Sequence, residues 1–298
     1  MNVFITGASG LIGKALSERL RAEGHTVTQL VRGTPKAGEV QWTPGKPLDP
    51  TKLANADAVV HLAGKNVATR WTAKTKRELF ESRVAGTKTV SDAAAESFRQ
   101  GGKPAVMISA SAIGYYGVRG DETLTETSAP GTGFLKDICV AWEAAAQSAK
   151  DAGVRVVHPR IGVVLSDEGG ALGKLLPTFK LGGGGRLGDG RQWWSWISIE
   201  DVIGGIFFAL LNPQVQGPLN FTAPNPVTNA EFTKVLSDVL HRPAIFPVPK
   251  FALHLALGKE AAEETALASL RVLPNRLLEY GYKFAHAELR EALQNVLN

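Results

Sequence analysis

Short apolar runs and amphipathic stretches alternate along most of the chain. Residues 3–6, Val-Phe-Ile-Thr, form a buried-strand run, too short for a helix and followed at once by glycines. From 11 to 23, Ile12, Ala15, Leu16 and Leu20 recur at helical spacing, and Gly24 stands where a C-terminal cap belongs. Strands are predicted over 26–31 and 58–63. Between them runs an irregular Pro/Gly-rich excursion with one weak strand near Val40-Gln41-Trp42. The pattern then predicts a helix over 72–98, a strand over 105–109, a helix over 134–151 and a strand over 154–165. Strands separated by helices imply right-handed βαβ units and a parallel sheet covered on both faces. The predicted class is a doubly wound α/β fold.

Beyond Leu165 this alternation lapses. Residues 182–190 read as loop, with Asp189-Gly190 as a hairpin turn signal. A short strand entering a helix is expected over 197–211, and a last strand over 219–222. Thr228 and Glu231 have capping-box spacing, which opens a helix running to about His241. From Lys250 the tail is mostly helical, with Pro274 and Gly281 as breakers. The expected organisation is a sheet domain over 1–224, within which 166–199 is a substrate-side excursion. A smaller, mostly helical C-terminal domain over 225–298 would fold over the sheet's ligand edge.

Thr6-Gly7-Ala8-Ser9-Gly10-Leu11-Ile12-Gly13 is the strongest local signal, because it follows a strand and opens a helix. Gly7 permits the tight turn, Gly10 lets backbone approach a pyrophosphate, and Gly13 lets helix and strand pack closely. The free N–H groups of Ser9 to Gly13 then face the anion. This is a Rossmann-type phosphate loop. The second strand ends in Val31-Arg32, where NAD-specific sites carry a carboxylate for the ribose hydroxyls. A guanidinium there pairs with a 2′-phosphate instead, so NADP(H) is the expected cofactor.

Composition removes several other classes. Of 298 residues, 44% are hydrophobic and 20% charged, which excludes a disordered, collagen-like or coiled-coil chain. The single cysteine, Cys139, rules out an intrachain disulfide and any Cys-clustered metal site, and fits a cytoplasmic setting. The six histidines are scattered and no metal is expected. The apolar run at 202–211 is far short of a membrane span, and the first strand leaves no room for a signal peptide. The +5 net charge is too dispersed for a nucleic-acid footprint. The expected partner is a small-molecule substrate, without nucleic acid or membrane; a homodimer stays open.

Along its whole length the chain resembles the extended short-chain dehydrogenase/reductases. Residues 6–13 match their TGxxGxxG loop, 57–64 (DAVVHLAG) their DxVxHLAA strand, and Ser109-Ala110-Ser111 the end of the catalytic strand. Gly188-Asp189-Gly190 through Ile199-Glu200-Asp201 resembles their late motif. More narrowly, Gly114-Tyr115-Tyr116-Gly117, Trp142-Glu143, Trp196-Ile197, Ala223-Pro224 and Gly281-Tyr282-Lys283-Phe284 resemble the atypical "epimerase family" branch with a C-terminal helical domain of unknown function. The resemblance implies cofactor contacts at Leu62, Ala63 and Gly64 and at Glu78 and Arg83 of an ExxxSR segment; the nicotinamide is expected near Ser111 and the strand end at Arg160 and Ile161.

The same resemblance exposes a gap. Typical members place Tyr and Lys four residues apart on one helix, and the aligned positions here are Phe134 and Ile138. Neither side chain carries a proton. Ser111 keeps the carbonyl-binding hydroxyl, and Tyr115 or Tyr116 is the expected substitute acid. On the substrate side, Arg191, Gln192, Trp194 and Trp196 are expected contacts, with Trp194 where nucleotide-sugar epimerases place a diphosphate-binding arginine. The expected function is an NADP(H)-dependent oxidoreductase acting on a small carbonyl or alcohol. A non-catalytic NADPH-binding sensor or scaffold, and a nucleotide-sugar epimerase, are the alternatives.

Overall fold

The computed structural model describes residues 1–297. β1 (Asn2–Thr6) passes through the glycine loop into α1 (Leu11–Ala22), followed by β2 (Thr26–Val31) and β3 (Val40–Gln41). β4 (Ala58–His61) precedes the long α2 (Ala73–Gly101). Next come β5 (Val106–Ser109), β6 (Ser111–Ala112), β7 (Thr123–Leu124), α3 (Phe134–Ala144) and α4 (Gln147–Asp151). β8 (Arg155–Ile161), β9 (Val163–Leu165), α5 (Gly170–Lys180), β10 (Trp193–Trp194), β11 (Trp196–Ser198), α6 (Ile199–Leu211) and β12 (Gly217–Phe221) complete the residues around the main sheet. The remainder is β13 (Val227–Thr228), α7 (Asn229–Leu240), α8 (Lys250–Leu257), α9 (Lys259–Glu264), β14 (Arg271–Val272), α10 (Asn275–Glu279) and α11 (Leu289–Leu297).

The main sheet is Rossmann-like, with the order β12-β8-β5-β4-β1-β2-β3 and parallel pairing throughout. Its two faces follow from the period of a strand. Val3, Ile5, Val60 and Ile108 point to the side of α1 and α6, onto Leu16, Leu20, Val202 and Ile206. Phe4, Val59 and Met107 point the other way, onto Val90, Ala94 and Ala149. The chain runs outward from β1 to β3 and then returns to β4 on the other side of β1. That reversal opens a crevice at the carboxyl ends of β1 and β4, where such sheets take their ligands.

The helical tail shares cores with the sheet. Leu277 of α10 joins the cluster of α1 and α6, while Leu289 and Leu293 of α11 pack with Trp194, Trp196 and Phe232. Buried Asp201 at the start of α6 fastens it: its carboxylate accepts from the N–H groups of Ala285 (2.7 Å) and His286 (3.0 Å) and from the Ser198 hydroxyl. No described helix is long and apolar enough to cross a membrane.

Four expectations need correction. The helix expected over 134–151 is two helices, broken after Ala144, because Ala149 N–H and the Ser148 hydroxyl both bond to Ser91 of α2. The strand over 154–165 breaks at Gly162, where a Cβ would lie 2.4 Å from the Ser195 carbonyl oxygen, and β9 leaves the sheet to pair with β11. α5 has no counterpart in the sequence reading: Leu172, Leu176 and Phe179 are its buried face, but Gly170 at its start and Pro177 inside it mask the pattern. Asp189-Gly190 makes no hairpin. Leu187 bridges to Val248 and β10 pairs with β13.

Candidate functional site

The glycine loop lies at the crevice. Gly7 has φ +71°, and a Cβ on it would come within 2.9 Å of Ala63 N. On Gly13 the added carbon would sit 2.2 Å from the Gly7 carbonyl oxygen. α1 follows Gly10, which offers no side-chain cap, and has no acid in its first turn, so its leading N–H groups are open to an anion. Ser9 and Gly10 are exposed, and Leu11 and Ile12 half-buried. Glu168, bound to Lys14 at 2.9 Å, brings the chain after β9 beside this turn.

Beneath the loop, Thr6 and His61 lock the ends of β1 and β4 together. The Thr6 hydroxyl oxygen accepts from the N–H groups of Leu62 (3.2 Å) and Ala63 (3.3 Å) and lies 2.8 Å from His61 Nδ1. Burial pushes the His61 ring down to about 4, so it stays neutral, with Nε2 unpaired. Val31 pairs with Gln41 at the sheet edge and Arg32 follows it into solvent. These residues fit a dinucleotide carrying an extra phosphate: backbone donors for the pyrophosphate, and a guanidinium at the second strand.

α2 supplies the crevice's next wall. Glu78 pairs with Lys65, which lies just after Gly64. Arg83 lies against Gly64, with its guanidinium 5.0 Å from the Trp142 ring and a long bond (3.3 Å) to the Leu79 carbonyl. Burial lowers its proton affinity, and it has no carboxylate partner among the described residues to compensate.

At the ends of β6 and β8 lies a buried charged network. The Ser111 hydroxyl donates to Glu143 Oε1 at 2.7 Å. Arg160, only 3% exposed, grips the same carboxylate through Nε (2.8 Å) and Nη2 (2.9 Å). Its Nη1 donates to the Tyr116 oxygen at 3.0 Å, and Tyr116 in turn donates to Asn220 Oδ1 at 2.6 Å. Burial opposes the Arg160 charge, but the bonds to Glu143 outweigh it and hold the guanidinium protonated. That guanidinium also lies 3.5 Å from the centre of the Tyr115 ring.

The geometry sorts the expected site residues. Ser111 and Arg160 share the Glu143 carboxylate, and the Tyr115 ring lies over the same guanidinium. Tyr116 is not available as an acid: it is wholly buried, both of its hydroxyl's roles are taken, and burial pushes it up to about 12. Arg160 is committed to Glu143 and Tyr116 rather than free for the cofactor, while Ile161 ends β8 half-buried. Three of the four expected substrate contacts are interior. Trp196 is fully buried with its indole N–H on the Asn225 carbonyl, Trp194 packs on Phe232, and the Gln192 amide bonds to the Leu187 and Ala266 carbonyls. Arg191 alone of the four is exposed. Glu143 was missed as a site residue; the signal was an acid beside Trp142 on a helix whose neighbouring positions are apolar.

Where typical members of the resembled family carry their Tyr, Phe134 opens α3. The Glu264 carboxylate of α9 accepts from the N–H groups of Phe134 (2.9 Å) and Leu135 (2.7 Å), so the tail caps this helix.

A model of the NAD dependent epimerase/dehydratase family matches residues 3–221, and one of a domain of unknown function, DUF1731, matches 248–296. An epimerase family protein of Mycobacterium bovis is 44% identical over 294 residues, covering 98% of this chain and 96% of that protein. The crystal structure of the human epimerase family protein SDR39U1 with NADPH superposes with a TM-score of 0.89 at 33% identity, covering 99% of each chain. Thermus thermophilus UDP-glucose 4-epimerase in complex with NAD, at 20% identity and a TM-score of 0.74, shares the fold; it covers 99% of this chain and 98% of its own.

Proposed function

Because the chain belongs to the NAD dependent epimerase/dehydratase family, we propose that it is an NADP(H)-dependent oxidoreductase acting on a small carbonyl or alcohol. The observation that carries this reading is Tyr115 over the Arg160 guanidinium, 3.5 Å away, whose partner Glu143 also takes the Ser111 hydroxyl. NADP(H), when bound, gives or takes a hydride at its nicotinamide ring. The helix N-terminus at Gly10 would hold its pyrophosphate and Arg32 its 2′-phosphate. NADPH in the human relative's structure supports that choice.

Within the chain, the Tyr115 hydroxyl gives its proton to the carbonyl oxygen as reduction proceeds. The Arg160 guanidinium under the ring holds it by a cation–π contact, so a cation from a different element stands beside the proposed acid where typical members use a lysine. Ser111 donates to Glu143, which leaves its oxygen lone pairs to accept from the product alcohol. A cytoplasmic setting for this reaction fits the lone, buried Cys139.

The test is a carbonyl panel followed by NADPH oxidation, with Tyr115→Phe alongside. Turnover should fall by about 10²–10⁴ in the variant, the usual worth of a positioned acid. Unchanged turnover removes Tyr115 from the role. Tight NADPH binding with silence across the panel favours the sensor reading, which the Phe134/Ile138 pair supports.

A further inference from the structure

We propose that the face built by residues 174–187 and 241–259 docks on an anionic lipid bilayer. The five most exposed large apolar side chains of the described residues all fall in these two segments: Leu181 (88%), Leu255 (75%), Ile245 (72%), Phe251 (72%) and Phe246 (59%). The segments run side by side. Arg242 Nε donates to the Lys180 carbonyl (3.2 Å), Phe246 N–H to Gly184 (3.1 Å) and Val248 N–H to Arg186 (2.8 Å). α8 leads on from there and buries none of its residues, while Phe251 and Leu255 share one of its faces at spacing four.

Charge selects the occupant. Residues 169–188 and 239–259 contain no Asp or Glu, but carry Lys174, Lys180, Arg186, Arg242, Lys250 and Lys259. The acids at their borders are engaged elsewhere: Asp238 with Lys234 and Arg290, Glu260 with Lys76, and Asp189 with the Arg191 N–H. A second copy would bring a like-charged patch against this one, which costs rather than stabilises. A nucleic acid would meet the cations but leave Leu181, Ile245 and Leu255 without stacking partners. An anionic bilayer satisfies both chemistries, because apolar tips enter the acyl boundary while Lys and Arg meet headgroups. Pro243, Pro247 and Pro249 hold the loop carrying Ile245 and Phe246 in few conformations, so little order is lost on docking. The sequence expectation of no membrane partner rested on span length alone, and a protein that lies on a bilayer needs no span.

Flotation of the full chain with vesicles of phosphatidylcholine, with and without one third phosphatidylglycerol, tests this. The chain should float with the anionic vesicles, stay behind with the neutral ones, and detach as salt is raised. Lys180→Gln/Lys250→Gln should lower partitioning about 30-fold, at about fivefold per surface cation. Phe251→Ser/Leu255→Ser should lower it at least about tenfold. Thermal midpoints of both variants should match the parent, since all four side chains are exposed. Absent or equal binding to the two vesicle types overturns the proposal, an outcome the unaltered chain decides alone. So does a dimer in sedimentation that Phe251→Ser/Leu255→Ser dissociates, which would give the face to a second copy.

Discussion

Removing Glu143 should strand a buried cation. Arg160 is 3% exposed and Glu143, whose side chain is 14% exposed, is its only carboxylate partner among the described residues, held by two bonds of 2.8 and 2.9 Å. Breaking such a pair by deleting one partner costs about 3–5 kcal/mol, because the remaining charge keeps its desolvation penalty without its counter-ion. For a chain of this size that corresponds to a fall in Tm on the order of 10 °C in Glu143→Ala. Calorimetric scans of Glu143→Ala, Arg160→Met and Glu143→Leu/Arg160→Met separate the pair from its parts. The double variant should melt above Glu143→Ala, since apolar replacement removes both charges together. The proposed carbonyl reduction should slow in Glu143→Ala too, because Arg160 is then free to leave the Tyr115 ring. A loss below about 1 kcal/mol, or a double variant no better than Glu143→Ala, would falsify the view that Arg160 depends on this carboxylate.

Three further outcomes follow from the interior. His61 titrates near 4 when folded against an ordinary 6.5, so the unfolded chain binds a proton that the folded chain refuses. Stability should therefore drain away as pH falls from 6.5 and level off below about 4, by about 3 kcal/mol in all; His61→Gln should lack that portion of the slope in pH-dependent urea unfolding. Glu126 is shifted upward by burial, with one carboxylate oxygen unpaired. Its contribution to stability declines as pH rises through the ordinary Glu range toward the raised folded value. Glu126→Gln should thus gain on the parent as pH rises, and a constant difference would contradict this. Gly13→Ala places a carbon 2.2 Å from the Gly7 oxygen and should weaken NADPH binding at least tenfold by fluorescence titration, whereas Gly101→Ala, with nothing within 4 Å, should leave it intact.

The parts of this molecule legible in sequence are those fixed by neighbours along the chain. A buried parallel strand reads as an apolar run, and a phosphate loop packs its glycines into eight consecutive residues, so β1, α1 and the loop between them were placed from composition and spacing alone. α5 escaped because Gly170 and Pro177 are poor helix formers, and the burial of Leu172, Leu176 and Phe179 against the tail outweighs that propensity. The tryptophans at 194 and 196 looked like ligand surface for the opposite reason: an aromatic beside a site motif has the same sequence whether it faces a substrate or fills a core.

The charged network is the sharpest case. Ser111, Glu143, Arg160 and Asn220 come from four elements spread over more than a hundred residues, and no local pattern joins them. A Tyr-x-x-x-Lys pair is visible because one helix turn carries both the phenol and its cation. Here the Tyr115 phenol is on the turn after β6 and the cation under its ring on β8, so a pair of this kind leaves no spacing to recognise. Loss of the motif in sequence is therefore weak evidence for loss of the chemistry, and it is the position of Arg160 beneath Tyr115, rather than the identities of Phe134 and Ile138, that argues for a working proton donor.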